Sequence, residues 1–288
     1  MADRQKIFVI LDPTTMNQPS LVMAETIAAE EREAGTGNVD LHLYCGIGED
    51  QVRRPPGMDE ATALTEELSR LESWVERLAE HGRGEGLTVD TEVEIRANWR
   101  EAIAEAIARQ PSTLAVKNMT DQSRLRRWLK ETSDWRLLRD ASCPVLLVKS
   151  YARRHIRKVL VAIKHRPETD TYHTANERLL EAGRRIADNV GAELNVVTVY
   201  PDTSDYPDRQ RFADRCGLPR NQVRAEMGKP EEAIATAARE VGADLVVIAR
   251  VSQPDGATKL GHTAEKVIDD LYCNILVLPM REASSLAD

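Results

Sequence analysis

Lys164, His165 and Arg166 follow one another in the chain, and Arg250 stands further on. Cationic side chains of this kind can hold a phosphate or another anion through charge-assisted hydrogen bonds. Asp12 and Lys117 are of opposite sign and are expected to pair if the fold brings them to adjacent strand ends. Arg124, Arg126, Arg127 and Lys130 form a basic run around Trp128, suited to a phosphorylated ligand, an acidic partner or simply the solvated face of a helix. Arg153, Arg154 and Arg157 carry the same ambiguity. The chain has no Gly-x-Ser-x-Gly elbow, Walker loop or His-Glu-x-x-His helix, so the familiar nucleophile, phosphate-loop and zinc chemistries have no anchor. Six histidines are scattered, and Cys45, Cys143, Cys216 and Cys273 show no CxxC spacing. That pattern predicts reduced thiols, with neither a metal centre nor a disulfide framework.

The elements that must position these residues are legible as apolar runs. Ile7–Leu11 is a short, fully apolar segment, as expected for a strand buried on both faces of a parallel sheet. A helix from near Gln18 to Ala34 comes next, then a strand over Val39–Tyr44. A long helix from about Met58 to His81 has apolar residues at Ala61, Leu64, Leu68, Leu71, Val75 and Leu78. That 3/4 spacing suits packing on a sheet, or flanking an apolar cavity or dimer surface. Strands over Thr88–Ile95, Leu114–Lys117 and Pro144–Val148 alternate with helices over Trp99–Arg109 and Asp134–Ala141.

The same order then starts again. Lys158–Ile163 echoes Lys6–Leu11, and Ala192–Tyr200 echoes the second strand. Pro230–Ile234 echoes Arg100–Ile103, while Ala243–Ile248 and Cys273–Leu278 repeat the fourth and fifth strands. The partner of the long helix is short, around Asp208–Arg215. Two tandem α/β domains are predicted, over residues 1–151 and 152–288, with the basic segment Tyr151–Arg157 as the hinge. Alternating strands and helices imply a doubly wound, Rossmann-like parallel sheet in each. Ligands in such sheets bind beyond the carboxyl ends of the strands, where the strand order reverses.

Composition narrows the function. A chain of 288 residues with 42% hydrophobic and 30% charged residues suits two globular domains. The net charge of −8 argues against nucleic acid as a partner. No run approaches the roughly 18–20 apolar residues that cross a membrane, and the apolar segment after Met1–Lys6 is too short for a signal-peptide core. A cytoplasmic location is therefore expected.

Three stretches carry a family resemblance: Gly228-Lys229-Pro230-Glu231-Glu232-Ala233-Ile234, Gly242–Ile248, and Gly261-His262-Thr263-Ala264-Glu265-Lys266-Val267-Ile268. Together with Cys273-Asn274-Ile275-Leu276-Val277, they resemble the universal stress protein family. Thr132–Leu138 and Cys143-Pro144-Val145 are most similar to its tandem, E-type members. The resemblance implies five-stranded domains of order 3-2-1-4-5, a pseudo-two-fold relation between them, a stress role and no enzymatic activity. It leaves a monomer with an intramolecular pseudo-dimer, or a homodimer. Members that bind ATP carry an Asp after strand 1 and Gly-x2-Gly-x9-Gly-(Ser/Thr) after strand 4.

Here that pattern is eroded. Ala249-Arg250-Val251-Ser252 stands where Gly-x2-Gly belongs, His262 replaces the Ser or Thr, and Lys164 takes the acidic position. Asp12 keeps the acid, but no glycine lies between Lys117 and Trp135. ATP is therefore an inherited option that these residues do not themselves carry, and no other cofactor is implied. The family's strand order places Lys164, His165, Arg166 and Arg250 in one crevice with Ala249, Ser252, Gly261, His262 and Thr263. In the first domain it brings together Asp12, Lys117, Arg124 and Arg127, with the Asp12–Lys117 pair plugging the nucleotide position. Related ligases and adenylyl transferases would need a His-x-Gly-His turn or a Ser-Gly-Gly-x-Asp-Ser loop after strand 1, and neither is present. The expected function is non-catalytic: binding of a small, anionic or phosphorylated ligand or of a protein partner. The alternatives are an ATP-binding stress protein using the second domain, or an assembly module with vestigial clefts.

Overall fold

The computed structural model describes residues 5–35, 37–119, 133–150, 152–153, 155–166, 170–251, 266–268 and 270–280. The chain divides into two compact units, Met1–Ser150 and Tyr151–Asp288. Unit 1 contains β1 (Gln5–Ile10), α1 (Pro19–Glu33), β2 (Val39–Gly48), α2 (Glu60–Gly84), β3 (Thr88–Arg96), α3 (Trp99–Arg109), β4 (Leu114–Met119), α4 (Ser133–Asp140) and β5 (Val145–Lys149). Its strands are parallel, in the order β3-β2-β1-β4-β5. Unit 2 contains β6 (Lys158–Lys164), α5 (Asp170–Val190), β7 (Glu193–Tyr200), α6 (Arg209–Cys216), β8 (Val223–Met227), α7 (Pro230–Val241), β9 (Leu245–Val251) and β10 (Asn274–Met280). Its strands are also parallel and run β8-β7-β6-β9-β10, the same 3-2-1-4-5 order.

The inner strands are apolar because both their faces are covered. Ile7 to Ile10 of β1 and Val159 to Val161 of β6 are buried. In unit 1 the side chains fix which helix covers which face. Arg109 of α3 reaches Glu92 and Glu94 on one face of β3. On the other face α2 packs Gly82 against Val89, while its Arg83 donates to the Val89 carbonyl. Helices therefore lie on opposite sides of the edge strand, as the doubly wound topology requires.

Two expectations change in detail. The strand β2 runs on through Cys45–Gly48 because its ladder with β3 continues to Gly48↔Arg96. In α2 only Leu71 and Val75 of the apolar stripe are buried, whereas Ala61 is exposed and Leu64, Leu68 and Leu78 are half-buried. The amino half of the helix borders a cavity of about 290 Å³ lined in part by Leu64, Leu68, Val93 and Ile95. Of the five strands expected in unit 2, the third, β8, lies where the sequence showed no apolar run.

Helix α5 lies close on β6 because Gly183 carries no side chain. A Cβ there would run into Val161 Cγ2, part of a stiff β-branched side chain that is fully buried. Ordinary helix propensity favours Gly→Ala by about 1 kcal/mol. Gly183→Ala is instead expected to destabilise the chain by about 1–3 kcal/mol, since overpacking outweighs the gain. Urea denaturation of the full chain should show a lowered midpoint; a raised one would mean that α5 has room to move.

Candidate functional site

The turn that leaves the first strand of each unit is closed by a side-chain amide. In unit 1, Gln18 Oε1 accepts from Asp12 N at 3.0 Å, while Nε2 donates to Asp12 O and Thr15 O, both at 2.7 Å. Gln18 is buried, so these bonds replace water that it has lost. In unit 2 the equivalent atoms belong to Lys164: its N donates to Asn176 Oδ1 at 2.9 Å, and its O accepts from Asn176 Nδ2 at 2.7 Å. The two clamps do the same work from different places, one immediately before α1 and the other inside α5.

Unit 1 is filled around this point by its own groups. Asp12 Oδ1 accepts from Thr14 N at 2.9 Å and from Thr14 Oγ1 at 2.6 Å, a local turn that uses the carboxylate. The amino end of α1 is occupied as well. Ser20 N donates to Asn118 Oδ1 at 2.5 Å, and Ser20 Oγ donates to Ile10 O at 3.1 Å. The expected Asp12–Lys117 pair does not form among the described residues. Its failure follows from register, since Lys117 lies level with Ile10, two positions short of Asp12. Lys117 Nζ instead reaches Asn118 O at 3.4 Å. Arg124 and Arg127, expected in the same crevice, lie outside the described residues.

Unit 2 differs in that its clamp comes from within α5, and the described residues just beyond Lys164 are His165 and Arg166. His165 is half-buried and Arg166 exposed. Around them stand Asp205, paired with Arg166, and α6, which brings Phe212 and Arg215. Arg215 Nη2 donates to His165 O at 3.3 Å, and its guanidinium lies 5.1 Å from the Phe212 ring centroid. Lys164 Nζ sits 4.3 Å over the Tyr172 ring. Asp208 caps α6 by accepting from Gln210 N and Arg211 N, and Arg184 donates to Cys216 O at its other end. The short helix is thus fixed at both ends, with Phe212 buried beneath.

The His165 ring meets Phe212 edge-on at 6.1 Å, and its Nδ1 is buried with no hydrogen-bond partner among the described residues. Burial, then the positive charges of Arg215 and Arg166, hold the imidazole below its ordinary pKa, against a smaller opposing effect of Asp205. The β6–β9 ladder runs from Val159↔Leu245 to Val161↔Val247, and counting on along both strands brings Lys164 and Arg250 to the same height. Arg250 is, however, only 5% exposed, unlike the exposed Arg166. Ala249 beside it is half-buried, opposite Leu278. Ser252, Gly261, His262 and Thr263 lie outside the described residues.

Sequence reasoning missed Gln18, Asn176, Arg215 and Asp205. Only Gln18 carried a signal, a buried-capable amide just before the Pro19 that opens a helix. Among the described residues no group of His, Cys, Asp or Glu could hold a metal ion, and no helix is long and apolar enough to cross a membrane.

Comparison with known proteins places these features. The model of the universal stress protein family matches residues 208–279. The chain is 28% identical to universal stress protein E of Escherichia coli, over 96% of this chain and 95% of that protein. It is 26% identical to the universal stress protein E homolog of Haemophilus influenzae, over 94% and 96% respectively. Among solved structures, a universal stress protein from Archaeoglobus fulgidus superposes with a TM-score of 0.73 at 17% identity, covering 96% of both chains. A functionally unknown protein from Pseudomonas aeruginosa gives 0.73 at 24% identity, covering 96% of this chain and 92% of the other. The structural likenesses establish the fold.

If Asn176 is the clamp of unit 2, Asn176→Ala should leave the Lys164 amide and carbonyl without their partner and cost about 1–3 kcal/mol. A urea titration monitored by circular dichroism would measure the loss. An unchanged midpoint would show that water replaces the amide freely.

Proposed function

We propose that this chain, which belongs to the universal stress protein family in its tandem two-domain form, is a non-catalytic stress-response protein whose unit 2 holds a small anionic ligand at the carboxyl edge of its sheet. The stress-response role is the family's; the ligand class is inferred from the residues. The observation that carries it is the gathering of Lys164, His165, Arg166 and Arg215 around one turn. A chain with a net charge of −8 concentrates positive charge there. Phosphate oxygens suit such a group because each cation supplies a charge-assisted hydrogen bond.

The reading favours phosphate or a small phosphorylated compound over ATP. Neither unit has the glycine spacing that lets a backbone wrap a triphosphate, and unit 1 closes its corresponding turn with Gln18 and Thr14. Native mass spectrometry of the freshly purified full chain reads any retained ligand, bound protein partner and oligomeric state together.

Inorganic phosphate should raise the melting temperature of the full chain, since a ligand at about a hundred times its Kd adds about 2.7 kcal/mol. Lys164→Ala combined with Arg166→Ala should remove most of that rise. Binding of sulfate, which stays a dianion throughout this range, should also tighten as the pH falls. Without an anion His165 titrates below 6.5; a bound anion favours the imidazolium and raises its pKa, so binding takes up a proton. The folded chain alone behaves in the opposite sense. With the folded pKa depressed, the unfolded state binds more protons below about 6.5, and stability falls as the solution is acidified. A phosphate response that the double substitution leaves intact, or a sulfate response that weakens on acidification, would contradict the assignment.

A further inference from the structure

At the opposite, amino-terminal edge of the unit 2 sheet lies a cavity of about 330 Å³. It opens where β9 and β10 begin and where α7 ends, away from the turn at Lys164. Its walls are small and apolar, with Ala235, Ala238 and Ala243 on one side and Leu271 on another. Larger side chains at the alanines would fill it. The volume falls at the lower end of the roughly 300–1,000 Å³ typical of small-molecule sites.

The polar groups of this cavity are few and already oriented. Asp244 is buried, and its Oδ2 accepts from Arg157 N at 2.9 Å and Lys158 N at 3.1 Å. Its Oδ1 accepts from Arg153 Nη1 at 3.4 Å. Asn274, fully buried, donates to Arg153 O at 3.3 Å. These bonds fasten the carboxyl part of the basic linker to unit 2 and hold Arg153 at the rim, its side chain 62% exposed. Arg239 is aligned along its own helix, with Nε on Ala235 O at 3.2 Å and Nη2 on Thr236 Oγ1 at 3.1 Å. It has no carboxylate within ion-pair distance among the described residues. Tyr272 beside the cavity is 69% exposed.

We propose that this cavity is a binding site for a small organic monocarboxylate with a flat apolar body. Arg153 and Arg239 against Asp244 leave about one net positive charge, which suits a monoanion, whereas a phosphate dianion would meet the buried carboxylate. Guanidinium forks match the two oxygens of a carboxylate. The alanine walls take the apolar body, and the Tyr272 ring is placed to stack on it.

Benzoate is the probe and benzamide its uncharged counterpart, each titrated into the isotope-labelled full chain and followed by backbone amide shifts. Benzoate is expected to saturate, moving Gly242, Ala243 and Cys273, and to bind at least about tenfold more tightly than benzamide, a difference of about 1.4 kcal/mol. Arg239→Gln should weaken benzoate by a similar factor, and Ala243→Leu should abolish the shifts by filling the mouth; circular dichroism confirms that each variant is folded. Equal binding of benzoate and benzamide, shifts confined to other parts of the chain, or no saturable response would each overturn the proposal. The benzoate–benzamide comparison needs no variant, so it decides the matter even if a substitution disturbs folding.

Discussion

A side-chain amide that bonds both the N–H and the C=O of one backbone residue is the interaction on which the rest of this structure depends. Gln18 does this for Asp12, and Asn176 does it for Lys164. At the end of a central strand the backbone has lost its ladder partners yet is still shielded from water, so both groups need replacement bonds. The clamp supplies them and fixes the direction in which the chain leaves the sheet. The residues just beyond each clamp are therefore displayed at a set height above the switch point.

The two units then part company through where the amide comes from. Gln18 precedes its helix and lies inside the turn, touching Thr15 as well as Asp12, so the turn is packed with its own groups. Asn176 reaches out of the body of α5, and among the described residues His165 and Arg166 stand just beyond Lys164. Two scaffolds of the same strand order thus carry different turns, one bonded to its own groups and one rich in positive charge. The capped and anchored helix α6 adds Arg215 to that edge while Phe212 shields the imidazole.

Much of the fold could be read from residue order because inner strands of a parallel sheet are apolar on both faces. Runs such as Ile7–Leu11 and Val159–Ile163 declare themselves. The strand β8 did not, because it is an edge strand in which Arg224 and Glu226 alternate with smaller residues. The candidate site was legible in its charges but not in its contacts. Lys164, His165 and Arg166 are consecutive and easily noticed, whereas Asp12 and Lys117 were expected to meet and are separated by a two-residue offset in register. The clamps left no periodic trace. Gln18 lies six positions after Asp12 and Asn176 twelve after Lys164, so no common spacing links two residues with the same task.

The central claim is that the carboxyl edge of unit 2 accepts an anion while that of unit 1 is closed. A titration of inorganic phosphate into the labelled full chain, read residue by residue from amide chemical shifts, tests it most directly. Saturable movement at Lys164, His165, Arg166 and Arg215, with Asp12 to Gln18 unmoved, is the predicted result. Movement centred on Asp12 to Thr15, or none at either edge, would contradict the account.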